Sequence, residues 1–268
     1  MPTRRRRHER PTSRRCPVCR RPVPARRRGR PPVYCSHPCR QVAYRQRKGQ
    51  TRQRKLVTLH QADARTWLPT LEASSVDLVV TDPPYAFDRG TTYFRDWFPE
   101  LPDEAWPAIF AQLHRVLREN AHAYVFCDRR TQLVFERAAH AVGFRIHPPL
   151  IWNKGSVGLG NSCWRPQHEL ILFLEKGHRP GNTRTPGDVL TAPRVTRRYP
   201  TEKPVLVLRL LIDQASHPGE LVLDPFCGSG NTGKAARELD RRAILNDINA
   251  TFAARRLHVA ISQTRTPG

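Results

Sequence analysis

No stretch of this 268-residue chain approaches the run of about eighteen apolar residues that a transmembrane helix needs. The basic start, Met1 to Arg15, has no apolar segment behind it and does not read as a secretory signal. A cytoplasmic, membrane-free protein is the expectation. Without a secretory route, structural disulfides are not expected of the 7 cysteines, and closely spaced pairs read instead as metal ligands. Acidic residues are nearly missing from residues 1–55, where Glu9 stands alone against 20 Lys or Arg. That segment carries almost all of the net charge of +23. Such a run attracts a polyanion, nucleic acid first of all. The alternative is a solvated arm with no specific partner.

No internal repeat is present, and composition divides the chain instead. Residues 1–15 read as a basic disordered arm, 16–48 as a small cysteine-bearing unit and 49–55 as a polar linker. From Leu56 to the end, apolar strands alternate with amphipathic helices, the pattern of an α/β fold with a largely parallel sheet. Strands are expected at 56–60, 76–81, 121–127, 144–152, 169–174, 221–224 and 243–246. Helices are expected at 103–118, 131–142, 203–216, 231–239 and 250–262, with Asp103 as an N-cap and Pro204 in a first turn. The stretch 177–200, rich in Pro, Gly, Thr and Arg, reads as an exposed loop.

Two strand ends carry chemistry. The first is Thr81-Asp82-Pro83-Pro84-Tyr85, directly after the apolar strand VDLVV. Ligands of open α/β sheets bind at the carboxyl ends of strands. Neither proline has an N–H, so the ladder stops and carbonyls turn outward. Asp82 and the Pro83 carbonyl can then accept both hydrogens of an amino group. That draws the nitrogen lone pair out of conjugation with its ring and towards a nucleophilic geometry. Tyr85 offers a flat face for a base. The plain alternative is an ordinary Asp-Pro turn.

The second is Asp224-Pro225-Phe226-Cys227-Gly228-Ser229-Gly230-Asn231-Thr232, between a strand and a helix. Its glycines permit a tight turn and close approach to a ligand. It matches neither the GxGxxG dinucleotide pattern nor the GxxxxGK[ST] phosphate pattern, so no phosphate grip is implied. Asp247, 17 residues after Gly230 at the end of the next strand, can accept from ribose hydroxyls.

Together these segments resemble the DNA amino-methyltransferases of the β group, in which DPPY precedes FxGxG. The resemblance runs over residues 56–262. Gln61-Ala62-Asp63-Ala64 resembles the family's GDA-like segment, with Gln in place of the usual Gly. Pro200-Thr201-Glu202-Lys203-Pro204 resembles its HPTEKP element, with Tyr199 where His is common. LIWNK (150–154) and HELILFLEKG (168–177) also resemble family strands, and read equally well as plain core.

The resemblance implies a Rossmann-like, circularly permuted sheet of seven strands that binds S-adenosylmethionine. Its implied cofactor contacts are Asp63, Ala64, Thr201, Lys203, Asp224, Phe226, Gly228, Gly230, Asn231, Thr232 and Asp247. Asp63 would hold the cofactor's adenine amino group. Asp82, Pro83, Pro84 and Tyr85 would receive a base flipped out of double-stranded DNA. Asp at the first position leans towards N6 of adenine, where Ser leans towards N4 of cytosine. Both bases stay open, as does an inactive DNA-binding module. A cognate restriction endonuclease is a conceivable partner, and the sequence names neither the recognition site nor the oligomeric state.

Cys16-x2-Cys19 and Cys35-x3-Cys39 have the spacing of a tetrahedral zinc site, and the segment resembles short treble-clef or ribbon fingers. His37, inside the second pair, is a substitute ligand. Structural zinc would let so small a unit fold, and its arginines with Tyr34 and Tyr44 would add phosphate contacts. Cys127 reads as a buried apolar residue, while Cys163 and Cys227 carry no assigned role.

Overall fold

Six successive residues, Val76–Thr81, are buried at every position. Such a strand is covered on both faces, as in the middle of a parallel sheet. The computed structural model that contains it describes residues 14–24, 32–44, 56–84, 101–158, 163–183, 186–195 and 199–262. Tyr85, most of the basic arm and the expected linker lie outside the described residues. By its internal contacts the chain divides into Met1–Gln53 and Arg54–Gly268.

In the larger unit the elements are β1 (Val57–Gln61), α1 (Ala64–Trp67), β2 (Val76–Thr81), α2 (Trp106–Val116), β3 (Leu117–Cys127), α3 (Arg129–Ala141), β4 (Arg145–Asn153), β5 (His168–Lys176), β6 (Val189–Thr191), α4 (Val205–Ala215), β7 (Leu221–Asp224), α5 (Asn231–Glu238), β8 (Arg242–Asp247), α6 (Thr251–Leu257) and β9 (Ile261–Ser262). They form one sheet in the order β6-β4-β5-β3-β2-β7-β8-β1-β9. Only β5 runs antiparallel to its neighbours, β3 and β4.

Among the described residues nine strands stand where seven were expected. The two additions are the shortest, three and two residues long, and close the two edges. β6 falls inside the stretch read as loop: Val189–Thr191 pair with Ile151–Asn153 of β4. The last helix is shorter than expected because His258 takes a left-handed φ of 55° and ends it, freeing β9 to pair with β1. The helix expected to reach residue 118 stops at Val116, and β3 takes over at Leu117. Asp103 opens a single 3-10 turn, whose cap position belongs to Pro102. α3 begins two residues early because Asp128 accepts from the N–H of Arg130 and of Thr131, closing a capping box.

Each face of the sheet has its own core. On one, Leu59, Leu78 and Val80 meet Val207, Leu211 and Ile212 of α4. On the other, Val79, Val125 and Leu223 meet Trp106 and Phe110 of α2 and Phe135 of α3. The Trp106 and Phe135 rings pack edge to face at 4.6 Å. Each such side chain contributes about 1.5–3 kcal/mol by leaving water. Two-sided burial fixes the register of β2 and β7, β8 and β1 pair parallel beside them, and the four carboxyl ends emerge together. Among the described residues no helix is long and apolar enough to cross a membrane.

In the smaller unit, Arg15 and Pro22 form an antiparallel bridge, and the Val23 N–H donates to the Arg14 carbonyl at 2.8 Å. Residues 37–44 are helical. Of its described apolar side chains, only Cys16 and Ala43 are buried.

Candidate active site

The carboxyl ends of β2, β7, β8 and β1 line one open cleft, which encloses about 1250 Å³ including its solvent-filled mouth. β2 brings Asp82, Pro83 and Pro84 to it, β7 the turn from Asp224 to Gly228, β8 Asp247, and the turn after β1 Asp63 and Ala64. Thr201, Lys203, Asn231 and Thr232 reach the same space from before and within the following helices. Segments up to 184 residues apart thus converge on one wall.

Gly230 is not one of the described residues that line the cleft. It has a φ of 77°, and a Cβ there would lie 2.9 Å from Leu257 Cδ1 and 3.1 Å from Ala253 Cβ. It is a packing glycine behind the cleft, where α6 meets the loop. Gly228, with φ 44°, does face the cleft; a Cβ there would meet the Tyr199 ring at 3.1 Å.

The loop after β7 is held by side chains that the cleft itself presents. Gly228 N–H donates to Asp247 Oδ2 at 2.8 Å, and Asn249 N–H to Oδ1 at 2.9 Å. Burial raises the Asp247 carboxyl, and these two donors oppose the rise. Asp224 is buried under the loop, where Oδ1 accepts from the Thr81 hydroxyl at 2.7 Å and the Phe226 N–H at 3.1 Å. Burial pushes its carboxyl up to about 7. Asp224 is thus a fastener between β2 and β7. Asp63 caps α1 through the Arg65 N–H and also takes the Arg65 guanidinium at 2.6 Å. Those contacts hold its carboxyl low.

Asn231 turns its amide onto the PTEKP segment, donating to Glu202 Oε1 at 2.6 Å and to the Lys203 carbonyl at 2.8 Å. Arg256 pairs with the same Glu202 oxygen at 2.7 Å. Lys203 Nζ then reaches across to Asp82 Oδ2 at 2.6 Å, so the lysine expected among the cofactor contacts stands on the carboxylate of the Asp-Pro-Pro turn. The other oxygen, Oδ1, is sealed from solvent and has no hydrogen-bond partner among the described residues. Burial pushes the Asp82 carboxyl up to about 6, with Lys203 pulling the other way.

Two residues that sequence reasoning left as plain strand complete this group. Glu169, at the start of β5, lies 3.2 Å from Lys203 Nζ, and Lys154, just after β4, lies 2.7 Å from Glu169. Lys154 is buried and Glu169 partly buried, and neither carries a signal in the sequence beyond its place at a strand end.

In the smaller unit the Sγ atoms of Cys16, Cys19, Cys35 and Cys39 lie within 4.8 Å of one another. Cys19 and Cys35 Sγ are 3.3 Å apart, Cys35 and Cys39 3.6 Å. Four thiols so gathered fit a tetrahedral ion with metal–sulfur bonds of about 2.3 Å. In the larger unit Cys127 and Cys227 are buried and Cys163 is exposed.

Comparison with known proteins agrees with this geometry. Residues 76–188 and 178–255 match the family profile described as DNA methylase, of the N6/N4 type. The chain is 27% identical to the DNA adenine methyltransferase YhdJ of Escherichia coli K12, over 76% of this chain and 83% of that protein. Among solved structures, an M1.HpyAVI–SAM complex superposes with a TM-score of 0.59 at 22% identity, covering 75% of this chain and 97% of the other. The PvuII DNA methyltransferase, cytosine-N4-specific, superposes at 0.61 with 16% identity, covering 74% and 86%. The structural likenesses establish the fold.

Proposed function

The chain belongs to the DNA methylase family of the N6/N4 type, and from that premise we propose that it methylates the exocyclic amino group of a base flipped out of double-stranded DNA, N6 of adenine in preference to N4 of cytosine. The observation that carries this reading is the Asp82 carboxylate: one oxygen taken by Lys203, the other buried and unpartnered beside two prolines that have no N–H to offer. A buried acceptor without a donor costs about 1–3 kcal/mol, and a target amino group is the donor that would repay it. Asp82 Oδ1 and the Pro83 carbonyl accept the two amino hydrogens, and the Asp82 carboxylate offsets the positive charge of the four-coordinate nitrogen until one of its protons leaves to solvent. Tyr85, by its place in the motif alone, stacks on the base. Asp rather than Ser at the head of the turn supports adenine.

The cleft fits S-adenosylmethionine. Asp247 offers ribose an acceptor, and Gly228 keeps the loop free of a side chain where Tyr199 closes the wall. Asp63 offers the adenine amino group an acceptor in exchange for its contact with the half-exposed Arg65. When bound, the cofactor supplies an electrophilic methyl group on a sulfonium. What the protein adds is alignment and exclusion of water.

Zinc on the four cysteines is a second part of the reading. With two buried apolar side chains among its described residues, the small unit has too little core to fold on burial alone. The basic segment around it supplies phosphate contacts that position the enzyme on DNA.

The test is methylome sequencing of DNA from cells expressing the chain, beside cells expressing Asp82→Ala. N6-methyladenine in a recurrent motif, lost in the variant, is expected. N4-methylcytosine instead would overturn the base assignment and keep the site. A folded, cofactor-binding wild type that leaves DNA unmodified would sink the reading.

A further inference from the structure

Four charged side chains from four segments alternate in sign across the floor beside the cleft. Lys154 pairs with Glu169 Oε1 at 2.7 Å, Glu169 Oε2 with Lys203 at 3.2 Å, and Lys203 with Asp82 Oδ2 at 2.6 Å. The lysine side chains are 9% and 5% exposed, and the carboxylates of Glu169 and Asp82 are partly buried at 22% and 24%. Lys203 also lies over the Phe126 ring, 5.2 Å from its centre. Burying four charges costs several kcal/mol per ion unless each is paired. A fold needing only a fastener between β4, β5 and α4 could use apolar side chains of similar volume at no such cost. The arrangement therefore calls for a reason beyond packing.

Resting on the methyl-transfer reading above, we propose that Glu169 and Lys154 are positioning residues for Asp82. Glu169 anchors the Lys203 ammonium, Lys154 anchors Glu169, and the fixed ammonium holds Asp82 Oδ2. Oδ1 is thereby left turned to the target amino group. Because the charges alternate, the two positioning residues act on Asp82 with opposite sign. The Glu169 carboxylate pushes the Asp82 proton affinity up, and the Lys154 ammonium pushes it down. Glu169 itself feels burial upward, and the two lysines overcome it and hold its carboxyl low. The other titratable groups near Asp82 are Asp224 on β7, Tyr199 on the segment before α4 and Cys127 at the end of β3, and Arg194 lies beyond Lys154.

The experiment is a carbon-13 titration of the Asp82 carboxyl in the full chain, assigned with Asp82→Asn, alongside the pH profile of kcat. The wild-type midpoint and the acid limb of kcat are expected at about 6. Glu169→Gln should lower both by about one pH unit, and Lys154→Gln should raise both by a similar amount. Lys154→Arg, which keeps the charge, should return the midpoint to the wild-type value. A merely structural role would lower kcat in both variants and leave the midpoints where they were. Shifts of the same sign, or no shift in chains that melt like wild type, overturn the ladder. Should Lys154→Gln fail to fold, Glu169→Gln decides alone by whether its midpoint falls. Opposed shifts in a protein that methylates no DNA would keep the ladder and sink the methyl-transfer reading. A methylating wild type with unmoved midpoints would do the reverse.

Discussion

The two units of this chain solve the problem of holding a shape in different ways. Arg54–Gly268 wraps apolar side chains on both faces of a nine-stranded sheet. Met1–Gln53 has Cys16 and Ala43 as its described buried apolar residues and gathers four thiols within 4.8 Å. Large sheets can afford to bury charges at their strand ends, because the surrounding core covers the cost. A unit with almost no core must be cross-linked. The division extends to charge, since the basic excess lies in the first 55 residues and the proposed chemistry in the rest. If the division is real, each unit can be broken without breaking the other.

The largest expected effect falls on the sheet. Asp82→Ala should lower kcat by at least about 100- to 1000-fold, the usual cost of one aligned polar group lost from a reacting centre. Its dissociation constant for DNA should change little, because the proposed phosphate contacts lie in the basic segment. Loss of DNA binding equal to the loss of rate would mean that the two tasks are not separate.

Removing residues 1–55 is the converse experiment. DNA affinity should fall by about 10- to 1000-fold at moderate salt, and the slope of log K against log salt should flatten, since each phosphate contact contributes about 0.9 to that slope. Cofactor binding, followed by calorimetry, should hold. An unchanged slope would remove the arm from the role of electrostatic anchor.

A chelator sharpens the contrast in stability. Stripping metal should open the first unit to protease and leave the main melting transition within about 2 °C of its starting value, because zinc binding supplies folding free energy only where its ligands are. A drop of the main transition would show the two units to be coupled.

What could be read in the sequence, and what could not, follows the same physical line. Asp82 to Pro84 and Asp224 to Gly228 were legible because each is a short run after an apolar strand, with the prolines and glycines spelling the turn. Cys16, Cys19, Cys35 and Cys39 were legible from spacing. Glu169 and Lys154 were not, since their role depends on Lys203, 34 and 49 residues away, which only the sheet order brings near. Lys203 lines the cleft, and its contact with Asp82 was not legible because a linear motif shows no direction for a side chain. The loop called for glycine at Gly230, and a side chain there would meet Leu257 and Ala253. The edge strands escaped notice because three and two residues have too little periodicity to stand out from a loop.

The smallest expected effect separates the two aspartates that end β2 and β7. Both carboxyls are raised by burial, Asp82 to about 6 and Asp224 to about 7, from an ordinary value of 3.8. For such a group the native state binds its proton more tightly than the unfolded chain does. The stability it contributes is full below about pH 4 and is lost as pH rises through the native value near 7. Asp224→Asn keeps an oxygen for the Thr81 hydroxyl and the Phe226 N–H but has no proton to lose. Between pH 5 and pH 8 the variant should therefore lose less stability than wild type, and at pH 8 it should be the more stable protein by roughly 1–3 kcal/mol. Urea melts at the two pH values measure this directly. A variant less stable than wild type at both would mean that Asp224 stays ionised in its buried place and that the charge itself, not its hydrogen bonds from Thr81, Phe226 and Thr232, fastens the loop after β7 to β2.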